Sequence, residues 1–108
     1  MPNTYTQMYV HVIFAVKRRE SLITPKLREN LYAYITGITK KKDQKLISIN
    51  GMPDHIHLLI GFKPDCNLSE LIRDIKANSS KWINQNDFLK NKFEWQSGFG
   101  AFTIGHSK

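Results

Sequence analysis

Residues 9–17 constrain the fold most, because their two-residue alternation is apolar on both sides. Val10, Val12, Phe14 and Val16 fall on one face, and Tyr9, His11, Ile13 and Ala15 on the other. A strand with one solvated face alternates apolar with polar residues; one that is largely apolar on both faces belongs inside a sheet, with neighbours on either edge. The segment runs into Lys17, Arg18 and Arg19, a basic cluster at the strand's end.

The other periodicities supply its partners. Thr24 followed by Pro25 marks a helix start, an N-cap with proline at the first helical position. Leu27, Leu31, Tyr34, Ile35 and Ile38 then recur at helical spacing, and Lys40, Lys41, Lys42 and Asp43 end the helix as a solvated turn. Residues 46–50 read as a second strand, Gly51, Met52 and Pro53 as a turn, and residues 55–62 as a third strand completing a hairpin. Asn67 with Glu70 three residues on is a capping pair that opens a second helix. Its apolar stripe is Leu68, Leu71, Ile72, Ile75, Ser79, Trp82 and Ile83. A last strand is expected over residues 93–104, loosened by Gly98 and Gly100. The order β-α-β-β-α-β is that of the ferredoxin-like sandwich, an α+β fold with a four-stranded antiparallel sheet and both helices on one face.

With 108 residues, 41% of them hydrophobic, the chain is expected to form one domain, residues 1–108, around one core. A single cysteine, Cys66, cannot form an internal disulfide, which is the usage of a reducing compartment; its place just before a helix cap could lower its pKa. No segment reads as a signal peptide, and the apolar run at residues 56–62 is too short to span a bilayer. A soluble, cytoplasmic protein is therefore expected. Sixteen Lys and Arg against nine Asp and Glu leave a net charge of +7. That balance favours a polyanion, since each neutralised phosphate releases counterions, and nucleic acid leads the possible partners.

Asp54-His55-Ile56-His57 carries the chemistry. In a strand, residues i and i+2 share a face, so the two imidazoles stand roughly 7 Å apart at Cα and can converge on one divalent cation. Ile56 points the other way, in line with Leu58, Ile60 and Phe62, which puts the histidines on the face that the helices leave open. A cation there could polarise a phosphodiester oxygen. Two histidines on an ordinary strand look the same, and spacing alone leaves the question open. His11, on a strand expected beside the third, and the basic surroundings favour the metal.

MPDHIHLLI (residues 52–60) closely resembles the His-hydrophobic-His motif of the single-tyrosine transposases, the insertion-sequence 200-like family together with the REP-associated tyrosine transposases. HVIFAVKRR (11–19), LSELIRDIKANSSKWI (68–83) and WQSGFGAFTIGHS (95–107) resemble segments of the same family in the same order. The resemblance implies a ferredoxin-like subunit acting as a homodimer on single-stranded, hairpin-forming DNA. It makes His55 and His57 ligands of Mg²⁺ or Mn²⁺ at the scissile phosphate, which a tyrosine attacks to form a covalent intermediate.

One departure stands beside the match. The family's nucleophilic tyrosine lies on a helix following the WQ-x-G-x-GAF segment, where this sequence reaches Lys108. Tyr5, Tyr9, Tyr32 and Tyr34 do not match that position, and Phe99 stands where many relatives have tyrosine. The expectation is a family domain lacking the tyrosine-bearing helix and with no catalytic nucleophile of its own. Two alternatives accompany it: a regulatory remnant that occupies DNA without cutting, and a metal-dependent phosphodiesterase using water. Lys17, Arg18 and Arg19, and on the second helix Arg73, Lys76, Ser80 and Lys81, are the candidate DNA contacts, although solvated loops and helix faces carry the same residues. Trp82, Trp95 and Phe99 read as packing residues before they read as base-stacking platforms.

Overall fold

The computed structural model describes residues 8–104. Strand β1 (Met8–Ala15) is followed by helix α1 (Pro25–Lys41), strands β2 (Lys45–Met52) and β3 (His55–Phe62), helix α2 (Leu68–Gln85) and strand β4 (Gly100–Ile104). A 3-10 turn at Lys17–Arg19 closes the end of β1. The antiparallel sheet has the order β2-β3-β1-β4, so β1 is an interior strand. This is the ferredoxin-like sandwich.

Local chemistry sets the helix starts. Thr24 accepts a hydrogen bond from the Leu27 amide (3.1 Å) ahead of Pro25, and Asn67 accepts one from the Glu70 amide (3.1 Å), each satisfying an amide with no intrahelical partner. Residues opposite one another in the ladder share a face, so Val12 with Leu58 and Phe14 with Ile56 point to one side. There they are buried against Leu31 and Ile35 of α1 and Ile72 and Ile75 of α2. Each such side chain contributes about 1.5–3 kcal/mol when fully buried. Among the described residues no helix lies over the opposite face: His11 is exposed, and Ile13, Ala15, His55 and His57 are half-buried. No helix among the described residues is long and apolar enough to cross a membrane.

Two boundaries differ from expectation. β2 runs through Gly51 and Met52, Met52 still pairs with His55, and the turn is Pro53 and Asp54. Gly51 serves close packing rather than turning: a Cβ there would lie 2.6 Å from the His55 carbonyl oxygen and 2.9 Å from Ile56 Cγ2. The last strand is shorter than residues 93–104. β4 pairs with β1 only from Gly100, opposite Ile13, while the Gln96 amide bonds the Ala15 carbonyl (2.8 Å). Four residues there match two of β1, so residues 97–99 loop out, with Gly98 at φ +82° supplying the left-handed turn. Ahead of the loop Phe93 and Trp95 enter the core; Trp95 packs edge-on against Phe14 (4.7 Å), and its indole N–H donates to Ser79 Oγ (2.9 Å).

Candidate metal centre and nucleic-acid interface

β3 places the two histidines on the open face because buried Ile56 lies between them. His57 sits between Ile13 and Asn50 in the ladder, and His55 between Ala15 and Met52. The rings lean together until their Nε2 atoms are 3.1 Å apart, with ring centroids separated by 4.9 Å. His55 Nδ1 lies 2.7 Å from Asp54 Oδ1. A carboxylate only accepts, so Nδ1 carries the proton, and the Nε2 of neutral His55 presents a lone pair.

Two charges steady this arrangement. The hydrogen bond from His55, aided by the Arg19 guanidinium 3.1 Å away, holds the Asp54 carboxyl below the usual carboxylate range, although burial opposes the shift. Burial pushes the His57 pKa down, and the nearby His55 and His11 push it the same way, which favours the neutral ring a metal needs. Arg18 and Arg19 adopt positive φ (60° and 56°), the backbone conformation from which Arg19 meets Asp54. Asp54 neighbours the motif in sequence, but consecutive strand residues point apart, so its contact with His55 is not legible from spacing. The contact forms because Asp54 lies in the turn.

The donor set fits a divalent cation. A separation of 3.1 Å between Nε2 atoms is close to the roughly 3.0 Å edge of an octahedron with bonds of about 2.1 Å. Among the described residues no group of three His, Cys, Asp or Glu side chains converges. The described part of the chain thus offers one edge of a coordination shell. Mg²⁺ commonly accepts so few protein ligands, filling its remaining positions with water and phosphate oxygens.

The expected DNA contacts divide by what their charges already do. Lys17 pairs with Glu94 (3.2 Å) and Arg19 with Asp54, whereas Arg18 is exposed without an ion pair among the described residues. On α2, Arg73 and Lys81 are exposed and likewise unpaired among the described residues, and Ser80 is half-buried. Lys76 is engaged inside the protein: its ammonium donates to the carbonyls of Gln96 (2.7 Å) and Gly98 (2.6 Å) and lies 5.7 Å from the Phe14 ring centre. Burial lowers its pKa.

Tyr32 and Tyr34 lie on α1, across the sheet from the histidines, with Tyr34 stacked on half-buried Trp82 (4.5 Å). Tyr9 pairs with Gly61, four residues along β3 from His57, about 13 Å of strand. Tyr5 and residues 105–108 lie outside the described residues. Trp95 is core, but Phe99 is exposed, against the packing reading. The Cys66 thiol is pushed up by burial and by Asp65 and Glu70, opposite to the cap-based expectation.

Residues 4–108 match the profile of the family described as "Transposase IS200 like". The chain is 25% identical to the ISDra2 transposase TnpA of Deinococcus radiodurans over 75 residues, 69% of this chain and 54% of that protein. To the transposase for insertion sequence element IS200 of Salmonella typhimurium it is 25% identical over 100 residues, 88% of this chain and 66% of that one. It therefore spans only half to two thirds of the length of these relatives. The fold superposes on a candidate transposase from Deinococcus radiodurans with TM-score 0.87, at 21% identity, covering 97% of this chain and 85% of that one. It also superposes on the REP-associated tyrosine transposase bound to a REP hairpin, with TM-score 0.73 and 16% identity, covering 99% and 62%.

Proposed function

Since the chain belongs to the IS200-like transposase family, we propose that it binds single-stranded, hairpin-forming DNA in the cytoplasm and holds one phosphodiester against a divalent cation, Mg²⁺ or Mn²⁺, at His55 and His57. The observation that carries this reading is the 3.1 Å approach of the two Nε2 atoms on the uncovered sheet face. When bound, the cation supplies Lewis-acid neutralisation of charge developing on the phosphate. Asp54 keeps the His55 proton on Nδ1, Arg19 holds Asp54, and burial, with His55 and His11 nearby, favours the neutral form of His57. Arg18, Arg73 and Lys81 remain to meet the DNA backbone, with Ser80 as a hydroxyl donor. The same reading includes a homodimer, because β2 and β4 leave edges able to pair and β4 exposes Phe102. Sedimentation as a monomer at high concentration counts against that part.

Cutting needs a nucleophile in line with the phosphorus, and none of Tyr9, Tyr32 and Tyr34 is placed for it. On the described residues, that favours occupation of the strand without cleavage. The test is incubation of this chain with hairpin-bearing single strands and Mn²⁺, resolved on native and denaturing gels, with His55→Ala as control. Retention without cutting or covalent adduct is expected. Histidine-dependent cleavage refutes the non-cutting reading, and no retention at low salt refutes DNA binding.

A further inference from the structure

Residues 97–99 do not merely interrupt the sheet. Looping out, they leave a groove of about 410 Å³ against α2, between Arg73, Ala77 and Ser80 on the helix and Gln96, Gly98 and Phe99 on the loop. We propose that this groove seats one unpaired nucleobase of the DNA strand whose phosphate lies at the histidines, an inference that rests on the DNA-binding reading above and adds a base-binding site to it.

Several observations select that occupant. The volume falls within the roughly 300–1,000 Å³ of small-ligand sites. Phe99 stands at the groove with 38% of its surface exposed, an aromatic face left unpacked by the core. Exposed Arg73 makes no ion pair among the described residues, so it is available to the phosphate flanking a seated base. Aromatic stacking beside a cation is how single strands are held without sequence readout. Glu94 also lines the groove, but its carboxylate is offset by Lys17 at 3.2 Å. The wall is built, not incidental: Lys76 fastens it to α2 through the Gln96 and Gly98 carbonyls.

Position links the groove to the histidines. His55 pairs with Ala15, and the Ala15 carbonyl accepts the Gln96 amide. The groove rim is thus two ladder spacings from His55, about 10 Å, a gap that a strand covers in a few nucleotides. β4 begins only opposite Ile13, so at the level of Ala15 the sheet ends at Gln96. A strand leaving the histidines rounds that border into the groove without crossing a fourth strand.

The test places 2-aminopurine at each position in turn along the single-stranded tail of a DNA hairpin, with the intact chain and Mn²⁺, reading fluorescence and affinity together. Stacking should quench one position or two neighbouring ones. Phe99→Ala should restore that fluorescence and weaken binding about tenfold. Ala77→Trp, which fills the groove from an exposed helix position and removes nothing from the core, should restore it as well. Tail binding with the same quenching profile in both variants overturns the groove and leaves DNA binding standing. Failure of the wild-type chain to bind any tail at low salt overturns both.

Discussion

Gly51→Ala tests how closely the fold and the histidine site depend on one another. The added methyl would meet the His55 carbonyl oxygen at 2.6 Å, Ile56 Cγ2 at 2.9 Å and Ile56 Cα at 3.0 Å. Two of those three atoms are backbone, so a rotamer change cannot relieve the crowding, and β2 must move away from β3 by several tenths of an ångström. Overpacking of this kind costs about 1–3 kcal/mol, which for a domain of this size is about 4–12 °C in melting temperature. The displacement falls on the backbone that carries His55, so the 3.1 Å gap between Nε2 atoms should change with it. Thermal unfolding by circular dichroism and a Mn²⁺ titration are the two assays. A lower melting temperature together with weaker Mn²⁺ binding is expected. A melting temperature within about 1 °C of wild type refutes the close-approach argument, and a destabilised variant with unchanged Mn²⁺ affinity refutes its link to the site.

The remaining predictions concern the histidines and their supports. Asp54→Asn should weaken Mn²⁺ binding about 10–100-fold, the usual effect of removing a group that orients a ligating histidine, and calorimetric titration reads it; unchanged affinity means that Asp54 does not orient His55. Mn²⁺ affinity should fall as pH drops through the His57 pKa, which burial and the neighbouring histidines hold below the ordinary 6.5. Without metal, the unfolded chain protonates His57 first. Its contribution to stability should therefore be flat above pH 6.5, decline below it, and level off once the folded ring is protonated. Melting curves of wild type against His57→Gln across that range isolate this term, and parallel profiles exclude it.

Much of this was legible because the physics is local. Thr24 and Asn67 cap their helices through bonds spanning three residues, so a short window of sequence contains the whole interaction. Strand alternation placed Ile56 inward and the histidines outward, since the period of two leaves no other option. What was not legible depends on distant partners. The loop at residues 97–99 is held by Lys76, twenty and twenty-two residues before the carbonyls it binds. A lysine on the polar side of α2 looks like a surface charge until that contact exists. Arg19 reads as one of three equivalent basic residues, yet its pairing with Asp54 across 35 positions sets it apart from Arg18, which shares its positive φ.

The distribution of the basic charge follows from the same distant contacts. A net charge of +7 creates a field that draws a polyanion from any direction, but geometry comes from the cations still able to move onto a phosphate. Lys17, Arg19, Lys42 and Lys63 are tied to Glu94, Asp54, Asp74 and Asp43, and Lys76 to backbone carbonyls. Each of those contacts positions protein: the end of β1, the Asp54 turn, α1 against α2, the β2 entry beside the end of β3, and the groove wall. Arg18 at the close of β1 and Arg73 and Lys81 on α2 are left exposed. Five of the sixteen Lys and Arg are thus committed to protein contacts, and of the candidate DNA contacts a smaller set, Arg18, Arg73 and Lys81, stays exposed without an ion pair among the described residues. A charge count alone overstates the phosphate contacts, and the salt dependence of binding should reflect the smaller set.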